Sequence, residues 1–389
     1  EIGGPYTPPS THDIYKGSVY IRWADGRVSD SIIDTFTLEN LDASIKEWKT
    51  TSYQDIDAHE VIQPLPMPTG LKIKDDNVIN LITKDSSYFF EILNYFNENL
   101  KKKDYIKTVK GQVSAGMLCS TIMNSKGLNV SWEGTSMSVY AYVNDICGDG
   151  YAERDMPEKK DLKKILKEID RYMVHSKNIT QIKSGKMPVI LTPGTLGQFL
   201  EKYVLEEMDG ETVTNQSVHS LEDFKAKKQV FSEKINIVID GLSDYSLSTQ
   251  PCSGEGVPST KSYLIANGRL ITPILDLKYA KKSGMPPTPP GEIDLDVAMA
   301  PYSKMIKGLG YGLIVYDVLG MHTQDSKSGE YSLAVDQGLL VENGEIKGKI
   351  KSATIKGNFF DTLKDKKTKF AEYRKDEVAM LTESNVTAN

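Results

Sequence analysis

The sequence predicts an α+β protein: an α+β N-terminal domain with antiparallel sheet over residues 1–184, then a β-rich C-terminal domain of hairpins over residues 185–389. Three observations carry this. Asn-Gly pairs flanked by apolar residues occur twice, in "SYLIANGRLI" (Ser262 to Ile271) and "LLVENGEI" (Leu339 to Ile346). Asn and Gly tolerate the positive φ of a tight hairpin turn, so both stretches are hairpins. A lysine-rich amphipathic segment, Met156 to Asn178, separates the halves. Finally, 389 residues exceed what one ordinary core accommodates, so two domains are expected.

The elements follow in chain order. "SVYIRWADGRVSDSI" (Ser18 to Ile32) places strand formers around an Asp-Gly turn. "TLENLDASIKEWKTT" has helical apolar spacing, and "QPLPMPTG" (Gln63 to Gly70) breaks regular structure. A second helix is expected in "DSSYFFEILNYFNENLKKK". "YIKTVKGQVSAGMLCSTIMNS" and "LNVSWEGTSMSVYAYVND" alternate as an antiparallel sheet with one wet face does. In the helix that follows, Leu162, Ile165, Leu166 and Ile169 form one stripe and the lysines a solvated face. The boundary is placed after it, near Ser184. "PVIL" reads as a strand, and Thr192-Pro193 as the N-cap and first turn of a helix carrying Leu196, Phe199, Leu200, Tyr203, Val204 and Met208 at helical spacing. Next come "KINIVIDG", the first Asn-Gly hairpin, a proline loop "GMPPTPPGE", "GYGLIVYDV" and the second hairpin. "GNFFDTLKDKK" is a short amphipathic piece before a polar C-terminus.

Lys and Arg number 47 against 53 Asp and Glu, a net charge of −6, with both signs interspersed. A nucleic-acid binder would carry a basic stripe, so no nucleic-acid partner is expected. Cys119, Cys147 and Cys252 lie far apart without CxxC spacing, as ordinary thiols of a reducing compartment do. The most apolar run, "YGLIVYDVLG" from Tyr311, is far short of the ~20 residues of a membrane span. The chain opens at Glu1 in the loop-like "EIGGPYTPPST" without a signal-peptide pattern. The cytoplasm is the expected compartment, no membrane partner is expected, and native sequence is expected ahead of Glu1.

"SGEGVPSTKSYLIANGRLITPILDLKYAKKSG" (Ser253 to Gly284) and "SGEYSLAVDQGLLVENGEIKGKIKSATIKGNFFDTL" (Ser328 to Leu363) resemble the TldD/PmbA family, the second its TldE (PmbA) branch. The family, also described as modulators of DNA gyrase, implies cytoplasmic zinc peptidases acting on unfolded or small peptides, with related hairpins building the C-terminal domain. In its TldD branch a helix carries HExxxH, whose histidines bind zinc while the glutamate acts as general base, and a cysteine near the C-terminus is a further ligand. Neutral imidazole and thiolate hold Zn²⁺, and a carboxylate takes a proton from metal-bound water. The ungapped resemblance runs from "PVILTPGTLGQFL" into "EKYVLE". It puts Glu201 and Glu206 at the two histidine positions and Lys202 at the base position, with Tyr203, Val204 and Leu205 between. No catalytic residue, metal or cofactor is therefore expected in this chain.

Glu201 and Glu206 lie roughly 140° apart on an ideal helix, so they share a face only if the helix is distorted. Lys202 would be a cation where the mechanism needs a base. All three fall outside the apolar stripe, and a solvated face is expected. No two of His12, His59, His175, His219 and His322 lie within five residues of each other, and the last cysteine is Cys252. Two loops hold further candidates: His322 with Asp325, and Cys252 with Glu255, where no histidine is near in sequence. Three functions stay open. The first is a noncatalytic or regulatory subunit that pairs with a TldD-like, zinc-bearing peptidase and admits extended peptide. The others are a self-sufficient metallopeptidase or hydrolase with a nonstandard site, and a peptide-binding homodimer without catalysis.

Overall fold

Turn chemistry sets the first elements. The computed structural model describes residues 10–33 and 38–388; the opening loop segment 1–9 lies outside them. The turn at Asp25-Gly26 folds β1 (Gly17–Arg22) antiparallel onto β2 (Arg27–Ile33), and β3 (Tyr53–Gln54) adds to β2. Helix α1 (Leu38–Thr50) lies between them in sequence. Then come α2 (Asp76–Thr83), capped by the Asp75 carboxylate, and α3 (Ser87–Leu100). A long hairpin pairs β4 (Val109–Met123) with β5 (Asn129–Val143), and β6 (Cys147–Glu153) adds to β5. Helix α4 (Lys159–Ser176) closes the first half, with Leu162, Ile165, Leu166 and Ile169 buried as their spacing predicts.

In the second half, β7 (Ile179–Thr180) and β8 (Gly185–Leu191) lead into α5 (Pro193–Leu200), a π-helical turn Glu201–Leu205, and α6 (Glu206–Met208). Short helices α7 (Gly210–Asn215) and α8 (Leu221–Lys225) follow. A small sheet has the order β11 (Arg269–Leu270), β10 (Lys261–Ala266), β9 (Ile237–Asp240), β12 (Glu292–Leu295). Its turn carries Asn267 at φ +50° and Gly268 at φ +70°. A Cβ on Gly268 would stand 2.3 Å from the Phe231 carbonyl oxygen, so the position excludes any other residue. Helix α9 (Leu277–Ser283) lies between β11 and β12, and β13 (Met299–Pro301) precedes α10 (Tyr302–Lys307).

The large sheet adds β14 (Tyr311–Leu319), β15 (Glu330–Glu342), β16 (Glu345–Ile350), β17 (Ala353–Asn358), β18 (Lys369–Arg374) and β19 (Glu377–Ala388), with α11 (Phe359–Lys364) between β17 and β18. Its order is β13-β18-β19-β8-β14-β15-β16-β7, and β17 pairs with both β15 and β19. Following the pairs β8 to β14 to β15 to β17 to β19 and back to β8 gives a closed, barrel-like ring. The second Asn-Gly hairpin forms its β15–β16 corner, at Asn343 and Gly344.

The central strands face two cores. Val189, Leu191, Leu313, Val315 and Leu340 point into one; Ile190, Ile314, Leu339 and Val341 point into the other, with Ile165, Ile169 and Tyr172 of α4 and Val139 of β5. A strand buried on both faces reads as a continuous apolar run, which is why "PVIL" and "GLIVY" show no alternation. The second core is thus shared between the two halves of the chain. Among the described residues, no helix is long and apolar enough to cross a membrane.

Two expectations are corrected here. The polar C-terminus is β18 and β19. Its inward positions include Thr382 and Ser384, whose hydroxyls pair with Thr362 Oγ1 (3.2 Å) and the Tyr331 hydroxyl (2.7 Å). The regular helix over residues 195–208 is instead interrupted by the π turn. Its apolar stripe holds nonetheless: Phe199 is fully buried, 4.9 Å from the Tyr331 ring, 5.1 Å from Phe359 and 5.9 Å from Tyr203. Phe199→Ala should therefore cost about 3–5 kcal/mol. Lys202→Ala, which loses a partly exposed ion pair, should cost about 0–1 kcal/mol. Thermal and denaturant melts of the two variants check the order.

Candidate functional site

The π turn decides the geometry at residues 201–206. The Glu206 N–H donates to the Glu201 carbonyl oxygen, five residues back, in place of the usual four. Such a widened turn brings residues five apart onto one side of the helix. Glu201 and Glu206 accordingly line the same cleft, of about 930 Å³, the π turn being the helix distortion that sharing a face requires. Helix α7 forms another wall with Asp209 and Glu211, and the loop before β15 contributes Ser326 and Lys327. The wall is acidic, with Glu207 as a fifth carboxylate.

Each charged side chain there has a partner or an open view of water. The Lys202 Nζ lies 2.8 Å from Glu206 Oε2 with its side chain only 15% exposed, so Lys202 is tucked against the helix and not on a solvated face. Glu201 is exposed. Asp209 caps α7, accepting from the N–H groups of Glu211 and Thr212. Glu207 is buried; its Oε1 accepts from the Ser326 hydroxyl (2.7 Å) and its Oε2 from the Val218 N–H (2.9 Å). It thereby ties the helix to two loops. Sequence reasoning missed Glu207, although a carboxylate three residues beyond Val204 and four beyond Tyr203 sits on the apolar stripe.

These donors do not suit the zinc implied by the resemblance. No histidine or cysteine lines the cleft, an ammonium neutralises Glu206, and Glu207 and Asp209 are committed to hydrogen bonds. Among the described residues no group of three or more His, Cys, Asp or Glu is placed to hold a metal ion.

The PmbA/TldA metallopeptidase C-terminal domain matches residues 184–379, half of the chain. The chain belongs to the TldD/PmbA family. An uncharacterized protein of Methanocaldococcus jannaschii is 27% identical over 268 residues, covering 66% of this chain and 63% of that protein. A zinc metalloprotease TldD homolog of Saccharolobus solfataricus is 25% identical over 230 residues, covering 52% of this chain and 48% of that protein. The matches thus span less than two thirds of these relatives. The crystal structure of TldE from Thermococcus kodakarensis shares the fold, with a TM-score of 0.77 at 19% identity over 94% of this chain and 88% of that one.

In this TldD/PmbA chain the other two candidate loops do not assemble a site. His322 lies exposed on the 3₁₀ turn Met321–Thr323, and the Asp325 carboxylate accepts from the Lys327 N–H. No bond joins His322 to Asp325 among the described residues. Cys252 is fully buried, and burial raises its thiol pKa, which suits an inert thiol. Glu255 has a histidine beside it after all: His59, distant in sequence, places Nε2 3.4 Å from Glu255 Oε1. The His59 ring stacks flat on Tyr20 at 4.4 Å. The Glu255 Oε2 accepts from the Leu277 N–H at the start of α9. Nearby, Lys278 binds Asp55 (2.8 Å) and Lys281 donates to the Ala58 carbonyl (2.5 Å). This group clamps the segment after β3 onto α9.

Two measurements follow. Glu207→Ala strands the Val218 N–H and the Ser326 hydroxyl and should cost about 2–3 kcal/mol in urea unfolding, whereas Glu211→Ala, exposed, should stay within about 0.5 kcal/mol. Burial lowers the His59 pKa below its ordinary 6.5, so below pH 6.5 the unfolded chain takes up a proton that the folded one refuses. His59 therefore makes stability fall with pH from 6.5 toward the folded value. Stability measured from pH 7.5 to 5.5 should fall less steeply in His59→Gln than in the parent chain.

Proposed function

We propose that this chain is the noncatalytic TldE/PmbA-type subunit of a two-subunit zinc metallopeptidase acting on unfolded or small peptides. A TldD-like partner supplies the zinc, the general base and the bond cleavage. One observation carries the reading. The helix keeps an i→i+5 turn that aligns two residues on one cleft, yet those residues are Glu201 and Glu206, with Lys202 at the base position ion-paired to Glu206. The platform is in place, but it presents one exposed carboxylate, Glu201, and one carboxylate neutralised by Lys202. The name of the Saccharolobus solfataricus relative, a zinc metalloprotease TldD homolog, and that of the Thermococcus kodakarensis structure, TldE, support the family part of this reading.

In this role the cleft contributes binding surface for an extended peptide, and its carboxylates favour the cationic end of that peptide. Residues 185–389 form the cleft-bearing domain and residues 1–184 the domain that covers the sheet's second face. The site of action is the cytoplasm. Elemental analysis and peptidase assays on the purified chain test the proposal: zinc should be substoichiometric and cleavage absent, and a TldD-like subunit should co-purify from native extract. One tightly held zinc per chain with chelator-sensitive cleavage would instead make the chain a self-sufficient peptidase.

A further inference from the structure

We propose that β4 is a self-pairing edge, docking antiparallel against β4 of a second copy of this chain about a two-fold axis through Met117. The proposal goes beyond the pairing with a TldD-like subunit and names the surface through which two copies of this chain meet.

The backbone points the right way. The hairpin closes with the Asn124 N–H on the Leu128 carbonyl (3.1 Å), and its other end has the Asn144 N–H on the Thr108 carbonyl (3.0 Å). Between them the register runs unbroken from Val109 opposite Val143 to Met123 opposite Asn129. Antiparallel ladders alternate, so the even-numbered residues of β4 spend their backbone groups on β5. Odd-numbered residues, from Val113 through Ala115, Met117, Cys119 and Thr121 to Met123, turn theirs outward. Among the described residues no strand takes them up, because β4 ends the order β4-β5-β6. At about 3.4 Å per residue this edge is roughly 35 Å long.

The usual protection is missing. Natural edges carry prolines, bulges or repeated charges. Here fifteen residues contain no proline, no register shift and one charge, Lys110, near the far end. Met117 is 48% exposed, Leu118 47% and Met123 69%, and Cys119 is exposed beside them.

A second copy satisfies these features together. Pairing about Met117 sets Ala115 against Cys119 and Val113 against Thr121, so the outward residues hydrogen-bond with one another. Residues opposite each other are both odd or both even, which keeps each face of the sheet continuous across the axis. Lys110 falls opposite Asn124, so no like charges meet. Two-fold pairing also uses both free edges at once and closes the assembly, whereas a head-to-tail contact would leave one edge open at each end.

Cys119 supplies the test, since Cys147 and Cys252 are buried. In the paired register the two Cys119 residues are offset by four positions, about 14 Å along the strands. Light scattering should give about twice the 43.3 kDa chain mass at micromolar concentration, and a flexible bismaleimide of matching reach should join two chains through Cys119 and not in Cys119→Ser. Met117→Pro removes only an outward N–H, and Met117→Lys sets two ammonium groups face to face. Both should melt near the parent temperature and run as monomers. Leu118→Pro, which breaks the β4–β5 ladder, should instead lower the melting temperature. A dimer unaffected by either Met117 variant, with no Cys119 crosslink, overturns β4 as the surface while leaving the subunit reading intact. A strictly monomeric chain overturns the proposal, and recovery of a TldD-like partner then decides the subunit reading separately. β4 amides protected from hydrogen exchange by an added extended peptide, in a chain that stays monomeric, would make the occupant a peptide and also overturn it.

Discussion

Pairing of β19 with β8 is the constraint on which the rest of the molecule depends. From Met380 opposite Leu191 to Val386 opposite Gly185 it sets a late strand beside the strand that opens the second half, and β17 then joins β19 to β15. With the ring closed, both faces of β8 and β14 are covered. The helix bearing the π turn rests on one face through Phe199, and α4 rests on the other through Ile165 and Ile169. Large apolar area leaves water on both sides of a few strands, which is how a chain of this length builds two cores on one sheet.

The cleft follows from that arrangement. The rings of Phe199 and Tyr203 anchor the helix against Phe359 and Tyr331, and Glu207 pins the adjoining loops, so the widened turn between them is held at both ends. A π turn costs hydrogen-bond quality and persists where surroundings fix it. The fold thus holds residues 201 and 206 on one cleft through contacts made by other side chains. With Glu, Lys and Glu in place, Lys202 neutralises Glu206 while Glu201 stays an exposed carboxylate on the cleft.

Much of this was legible in the sequence, and the exceptions have physical causes. Asn-Gly and Asp-Gly pairs announced three hairpins because few other residues accept positive φ. The α4 stripe was legible because Leu162 to Ile169 repeat at helical period. The C-terminal strands were not, since Thr382 and Ser384 enter the interior as hydroxyl pairs and look polar in one dimension. The π turn left no trace either: an extra residue in a turn shifts the period by less than a short stripe can register. His59 and Glu255 meet only through tertiary folding, with about two hundred residues between them, so neither pointed to the other. Glu207 could have been found, because a carboxylate on an apolar stripe implies a buried acceptor with waiting donors.

The closed ring also dictates an order of events during synthesis. Strand β8 is made first, and its neighbour β19 follows nearly two hundred residues later. Until then the edge of β8, and the edge of β17 that β19 will cover, stand unpaired. Long-range pairings of this kind are slow to form and leave sticky intermediates. The nascent chain must therefore carry an open seam while the residues between β8 and β19 are made, and β19 works as the clasp that makes the interior permanent.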